Sequence, residues 1–334
     1  MRIALLNVPY RLPADARQWI TVPPQGYGGI QWSVANLIDG LLEVGCTLYL
    51  LGAPGSPAPE GLQVVPATDL AQSTEWLESH DVDVVHDHSN GELLPRHLGD
   101  LAVVSTFHLT GTPRWPANCV YVSRAQREMA GSRYAPVIRL PVNPARYFFK
   151  NAKQDYLLFL GRVSRHKGVK EAAAFAAAAG LVLKVAGPAW EADYRRELLS
   201  DFADTVDFLG EVGGRDRLEL IANARAVLVM SQPTPGPFGT TWMEPGATVV
   251  SEAAASGTPV VATDNGCLSE LVPGVGVVLR SGEAVSSGVA GQALASLPEP
   301  EEVGDVAVRR WGHVKIATQY LGAYEHAIRG HGWK

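Results

Sequence analysis

The stretch from Trp242 to Glu270, WMEPGATVVSEAAASGTPVVATDNGCLSE, decides how the rest of the chain is read. Glu244 stands beside Pro245-Gly246, a pair that breaks regular structure and leaves a carboxylate on a loop. A helix is predicted from Thr248 to Ser256, with Gly257 past its end as a stop signal. Pro259 to Ala262 then reads as a short buried strand of a parallel sheet. This order sets the helix start, with the backbone N–H groups of Ala247, Thr248 and Val249, at the mouth of a sheet, where an anion is welcome. Glu244 and Glu252 bracket that start. Eight residues at about 1.5 Å each span roughly 12 Å. Carboxylates that attack one glycosidic bond sit only about 5–9.5 Å apart. Two grips on one long ligand, with its phosphates between them, fit the spacing better.

Upstream, Tyr156 to Gly168 reads YLLFLGRVSRHKG. An apolar strand ends at Gly161, and Arg162 and Lys167 follow on the turn. Two cations at the carboxyl edge of a parallel sheet stand where open α/β folds bind ligands. Arg offers a planar fork for phosphate oxygens, and Lys a mobile point charge. Either alone reads as a surface charge; together with E-x7-E about eighty residues later, G-R-x4-K-G is far more specific. The combination resembles the retaining glycosyltransferases of family 4, closest from Leu157 to Glu270 but covering nearly the whole chain.

That resemblance implies a GT-B fold, two Rossmann-like doubly wound α/β domains facing a central cleft, and transfer of a sugar from a nucleoside diphosphate to a hydroxyl with retention. It implies that Arg162 and Lys167 neutralise the leaving diphosphate, that Glu244 holds sugar hydroxyls, and that Glu252 holds the ribose diol. Gly28 and Gly29 match the family's glycine-rich loop near the donor phosphates and the acceptor. His108, in STFHLTG after a strand, matches a histidine that contacts the donor sugar by hydrogen bonding or by stabilising charge. The short chain and compact loops are similar to antibiotic-pathway members. Two departures stand out. The usual Glu-Pro-Phe-Gly opening is here Glu244-Pro245-Gly246-Ala247, which removes an aromatic side chain near the sugar. Pro237-Phe238-Gly239 occurs early, behind Gly236, so that Gln232 to Gly239 reads as a long flap over the donor.

The chain in order supports two domains. Strands are expected at 3–8, 47–51, 62–65, 82–86, 102–107, 119–122 and 137–140, and again at 156–160, 182–186, 206–209, 226–230, 260–262 and 275–278, with helical patterns between. Ile30 to Val44 has helical apolar spacing behind the glycines, while G-x-G-x-x-G directly after a strand is absent, which excludes the dinucleotide fingerprint. Pro141 to Asn151 reads as the hinge. The expected domains are therefore 1–148 on the acceptor side and 149–312 for the nucleotide sugar. A final helix, 313–334, carries an apolar stripe at Ile316, Tyr320, Tyr324 and Ala327 and, by the resemblance, crosses back to the first domain.

Composition narrows the partners. The 334 residues are 46% hydrophobic and 19% charged, a globular profile with room for two cores. A net charge of −6 and no basic stripe argue against nucleic acid. Cys46, Cys119 and Cys267 make neither a disulfide framework nor a zinc spacing, which suits a reducing cytoplasm. No stretch reads as a signal peptide, a membrane span or a basic amphipathic surface helix. The run VVHDH, with Asp83 just before it, offers Asp83, His86, Asp87 and His88 to a metal, but no further ligand cluster supports it. No metal or other cofactor is expected; the partners are a nucleotide-sugar donor and a small-molecule or oligosaccharide acceptor. Two rivals remain: a same-fold epimerase or phosphorylase, and a non-catalytic protein that binds sugar nucleotides.

Overall fold

The computed structural model describes residues 1–12, 15–113, 118–235 and 240–333, which form two compact units. The first contains residues 1–143 and 312–334, the second residues 144–311.

In the first unit, strands β1 (Arg2–Asn7), β4 (Thr47–Gly52), β5 (Leu62–Pro66), β6 (Val84–His88), β7 (Ala102–Phe107) and β8 (Cys119–Tyr121) form one parallel sheet in the order β5-β4-β1-β6-β7-β8. A small antiparallel ribbon, β2 (Arg11–Leu12) with β3 (Asp15–Trp19), lies between β1 and the first helix in sequence. Counted within the sheet, the order is 3-2-1-4-5-6, the doubly wound arrangement whose switch point lies between the first and fourth strands. Those two strands are β1 and β6, paired so that Asn7 stands opposite His88. From Ile3 onward every residue of β1 is buried, because helices cover both faces of a parallel sheet. Helices α1 (Gly29–Glu43), α2 (Leu70–Ser79) and α3 (Arg124–Met129) belong here, as does α11 (His313–Ile328) at the other end of the chain. Helix α11 buries the expected stripe of Ile316, Tyr320, Tyr324 and Ala327 in the same core as Val34, Leu37 and Leu41 of α1. Gly40 permits this approach, since a methyl there would meet the backbone of His313 and stand 3.0 Å from Ala317.

The second unit repeats the plan. Strands β9 (Tyr156–Leu160), β10 (Val182–Ala186), β11 (Val206–Gly210), β12 (Ala226–Val229), β13 (Val260–Thr263) and β14 (Gly276–Leu279) run parallel in the order β11-β10-β9-β12-β13-β14, again 3-2-1-4-5-6. Its helices are α4 (Val169–Ala179), α5 (Ala192–Asp201), α6 (Gly214–Asn223), α7 (Thr248–Ala255), α8 (Leu268–Leu271), α9 (Ser287–Ala295) and α10 (Pro300–Trp311). Alanines on α4 and residues such as Leu157, Leu183, Leu228 and Val261 make the core of this unit. The switch point here lies between β9 and β12.

Several boundaries differ from the sequence reading. Strand β6 runs over 84–88 rather than 82–86, so His86, Asp87 and His88 lie inside a central strand. The polar run stays extended because β1 and β7 flank it and its side chains find internal partners. Residues 137–140 do not form a full strand: Val137 makes an isolated bridge to Tyr121 at the sheet edge, where only one neighbour is available. The first unit ends at Asn143, whose backbone N–H and side chain bond Asn36 and Asp39 of α1. Residues 144–148 belong with the second unit. No helix among the described residues is long and apolar enough to cross a membrane.

Candidate functional site

The chain leaves β9 at Gly161 and makes one turn of 3-10 helix, Arg165–Lys167, before α4 begins. Gly168 sits between the two helices in the left-handed region, φ 72°, and a methyl there would run into the Met230 carbonyl at the end of β12. That close approach lets the backbone of His166 bond across the switch point. Its carbonyl accepts from Gln232 N at 3.0 Å and from Ser231 Oγ at 3.1 Å. Gly168→Ala is therefore expected to cost about 2–3 kcal/mol, from left-handed strain plus overpacking against backbone. Urea denaturation checks this, and an unchanged midpoint would show that the loop is not held against Met230.

Lys167 reaches from this turn to Glu244. Its Nζ lies 2.9 Å from Oε1 and 2.8 Å from Oε2, and 4.5 Å from the centroid of the Trp242 ring. Glu244 is 5% exposed. Its Oε2 also accepts from Ser231 Oγ at 3.0 Å and from Trp242 Nε1 at 3.4 Å. Burial pushes this carboxyl up, but the Lys167 charge and the hydrogen bonds from Lys167, Ser231 and Trp242 outweigh it and leave the group below its ordinary value. Glu244 is thus an ionised, triply solvated carboxylate in a dry setting. The His166 ring lies tilted against Trp242, centroids 4.5 Å apart, and burial with the nearby Lys167 and Arg162 charges lowers it to about 4. It is a neutral packing residue near pH 7. Arg162 lies over the exposed Trp190 ring, 4.1 Å from its centroid, so its guanidinium plane is held by an aromatic face.

Helix α7 begins at Thr248, with Ala247 as the N-cap residue, no side-chain cap and no acidic residue in the first turn. The amides of Ala247, Thr248 and Val249 therefore keep the positive end of the helix uncovered by this segment's own side chains. Glu252, one turn on, is 3% exposed. Its Oε1 accepts from the Tyr147 hydroxyl at 3.1 Å, and its Oε2 from Arg217 of α6 at 2.7 Å. Arg217 is itself only 5% exposed, which makes this a buried ion pair.

The candidate residues of the first unit lie at the start of α1 and just after β7. Gly28 caps α1 with φ 152°, and a side chain there would crowd Gln31, Ile20 and Pro24, each 3.1 Å from the added carbon. Gly29 opens the helix and is exposed. His108 follows β7. Its backbone N–H donates to Asn90 Oδ1 at 3.1 Å, and its Nε2 is 2.9 Å from His88 Nδ1. The side chains of VVHDH have partners of their own. Asp87 accepts from Ser89 and Gly91, the two ring nitrogens of His86 are hydrogen-bonded to the Tyr324 and Thr106 hydroxyls, and Asp83, just before the run, accepts from Arg2. Among the described residues no group of three or more His, Cys, Asp or Glu side chains could hold a metal ion.

The structure brings Lys167 and Glu244 into direct contact. Arg162 has its own aromatic support, and Glu252 has a separate pair of partners. Trp242 and Ser231 were missed by sequence reasoning, although Trp242 stands two residues before Glu244 and Ser231 follows a switch-point strand. Arg217, Tyr147 and Trp190 carried no signal, since each meets its partner only through the fold. Of the expected flap, residues 236–239 lie outside the described residues. Its described base is closed by an antiparallel Pro235–Thr241 bridge, and Gln232 is buried with its amide on the Met230 carbonyl.

Residues 146–285 match the family described as glycosyl transferases group 1. No curated protein matches the chain. Among solved structures, AviGT4, a glycosyltransferase involved in avilamycin A biosynthesis, aligns over 100% of this chain and 99% of its own at 54% identity, with a TM-score of 0.96. Sucrose-phosphate synthase from Thermosynechococcus elongatus aligns over 98% and 99% at 17% identity and TM-score 0.72. Anabaena HepE in complex with UDP and glucose aligns over 97% and 99% at 18% identity and TM-score 0.69. The last two show a shared fold. Two parallel α/β units of this order, matched over their whole length by these transferases, are the GT-B fold. The chain belongs to the group 1 glycosyl transferases.

Proposed function

We propose that the protein transfers a sugar from a nucleoside diphosphate to an acceptor hydroxyl with retention, as a family 4 enzyme, in the assembly of an oligosaccharide antibiotic. The Lys167–Glu244 pair at the second unit's switch point, its carboxylate buried and its ammonium partly so, carries this reading, because it holds a cation and a carboxylate ready at a sheet edge. An ammonium has three protons, of which two go to Glu244, leaving one for a phosphate oxygen. Arg162 supplies a second cation, and the Ala247, Thr248 and Val249 amides the field of a helix start, so the leaving diphosphate is neutralised without a metal. Glu244 Oε1 carries fewer bonds than Oε2 and would take a sugar hydroxyl; Glu252 would take the ribose diol. On the first unit, His108 would hydrogen-bond the sugar, and Gly28 and Gly29 would let backbone approach the ligands.

A buried carboxylate already solvated by three donors is a poor nucleophile. Attack on the face from which the diphosphate leaves, with the leaving phosphate taking the acceptor proton, therefore suits Glu244 better than a covalent intermediate. The structures of AviGT4 and of HepE with UDP and glucose support the pathway and the donor class respectively.

Thermal unfolding against a panel of nucleotide sugars tests the reading. Ligand at a hundred times its Kd stabilises by about 2.7 kcal/mol. One donor class should raise Tm, and EDTA should leave the shift intact. A panel without any shift would overturn the donor reading, and a shift that needs magnesium or manganese would overturn its metal-free form.

A further inference from the structure

Three histidines line the carboxyl ends of β6 and β7. His86 is held at both nitrogens, with Nδ1 2.6 Å from the Tyr324 hydroxyl and Nε2 2.8 Å from the Thr106 hydroxyl. The Thr106 hydroxyl is in turn 2.7 Å from that of Tyr320. The His88 ring lies against His86, with centroids 4.0 Å apart, and its Nδ1 meets His108 Nε2 at 2.9 Å. Burial holds His88 well below its ordinary value and His108 at about 4, so both rings are neutral near pH 7.

A neutral imidazole carries one proton, so a hydrogen bond between two of them sets both tautomers together. If His88 donates from Nδ1, its Nε2 is bare and His108 carries its proton on Nδ1. If His108 donates instead, its Nδ1 is bare and His88 carries a proton on Nε2. The surroundings of His88 Nε2 separate the two cases. That atom is buried and has no hydrogen-bond partner among the described residues. A buried N–H without an acceptor is the rarer and costlier defect, which favours a bare Nε2. His88 has little freedom to turn and change this, since it is 2% exposed and packed on a ring that is itself fixed at both ends. His108 is only partly buried, and Nδ1 is the ring nitrogen left to it.

We propose that His88 is a positioning residue that locks His108 in its Nδ1–H tautomer, so that His108 meets a bound sugar as a hydrogen-bond donor and never as a base. The ligand atom it takes is a sugar oxygen. This rests on the reading that His108 faces the sugar, but the lock itself is present in the free protein.

The test uses histidine labelled with 15N in the full chain, without ligand. Wild-type His108 should show a protonated Nδ1 and a bare Nε2. His88→Leu should move it toward the Nε2–H form, and His88→Asn, whose amide N–H stands close to where Nδ1–H was, should restore the wild-type pattern. Hydrolysis of the donor chosen by the thermal panel, with water as acceptor, should then fall about 3- to 10-fold in kcat in His88→Leu, with KM little changed, and recover in His88→Asn. A bare Nδ1 on wild-type His108 overturns the proposal, and so does a His88→Leu protein whose His108 tautomer is unchanged. A changed tautomer with unchanged kcat overturns the positioning role. Absence of any donor binding by the wild type would instead count against the proposed function, because the nitrogen shifts are read on the free protein.

Discussion

Glu252→Ala is expected to lower the stability of the protein by about 3–5 kcal/mol, because it removes one half of a buried ion pair and takes the carboxylate away from the Arg217 charge. The pair is 2.7 Å apart, with Arg217 5% and Glu252 3% exposed, so water cannot replace the lost carboxylate. The Tyr147 hydroxyl loses its bond to Glu252 in the same step. Urea denaturation of the variant should show the loss as a lower midpoint at an unchanged slope. Replacing both charges, Arg217→Met with Glu252→Leu, should recover most of it, since a buried ion pair contributes little more than well-packed apolar side chains of similar volume. A single variant within about 1 kcal/mol of wild type would mean that Arg217 does not depend on Glu252, and the pair would lose its structural role.

This result also decides how the ribose role is tested. Both oxygens of Glu252 already accept one bond each, which leaves lone pairs for a diol but makes alanine a poor probe. A loss of affinity in Glu252→Ala mixes the missing ribose contact with a loosened α7. Glu252→Gln keeps the shape and one acceptor oxygen. If the ribose reading holds, this variant should weaken nucleoside diphosphate and intact donor equally, by about tenfold, since both carry the diol.

Why these roles were only half legible follows from where each contact lies. The helix after Glu244 was readable because Pro245-Gly246 and Gly257 punctuate it, and the structure sets it at Thr248–Ala255. The two sheets were readable because a buried parallel strand is a short apolar run, as in YLLFL. The same rule failed where chemistry replaced apolarity. Strand β6 extends through His86, Asp87 and His88 because partners such as Tyr324, more than two hundred residues away, satisfy it. It failed in the other sense at residues 137–140, where an apolar run at the sheet edge has only Tyr121 to pair with. Periodicity encodes which face is buried, never which charge stands opposite. Hence Lys167 and Glu244 were each given a separate ligand group, whereas the pairing of β9 with β12 brings their side chains onto each other. Arg217 was invisible for the same reason, as one of several charges on an amphipathic helix.

The direct contact makes Lys167→Met the sharpest test of the site, because it should reverse the way stability depends on pH. In the wild type the Glu244 carboxyl lies below 4.5, although burial alone would raise it, because Lys167 and then the Ser231 and Trp242 hydrogen bonds oppose that effect. A depressed carboxyl adds stability that is present above the unfolded value and is lost as pH falls through the folded one. Without Lys167, burial is the largest influence left, and two neutral hydrogen bonds do not balance it, so the carboxyl rises above 4.5. A raised carboxyl works the other way: its contribution is present in acid and is lost as pH climbs through the raised value. The variant should therefore be about 3–5 kcal/mol less stable than wild type at about pH 7.5, where Glu244 is a stranded buried charge. The gap should narrow sharply near pH 4.5, where Glu244 takes a proton. Urea midpoints at the two pH values measure this, and a parallel pH profile for variant and wild type would refute the pairing. Adding Glu244→Gln removes the stranded charge while keeping an acceptor for Ser231 and Trp242, and should restore most of the stability at about pH 7.5. It should not restore donor affinity, which lost the ammonium that meets the phosphate, a loss of about tenfold or more. A double variant that is stable but still binds the donor at wild-type strength would leave the Lys167–Glu244 pair a purely structural feature and move the phosphate contact to Arg162 and the start of α7.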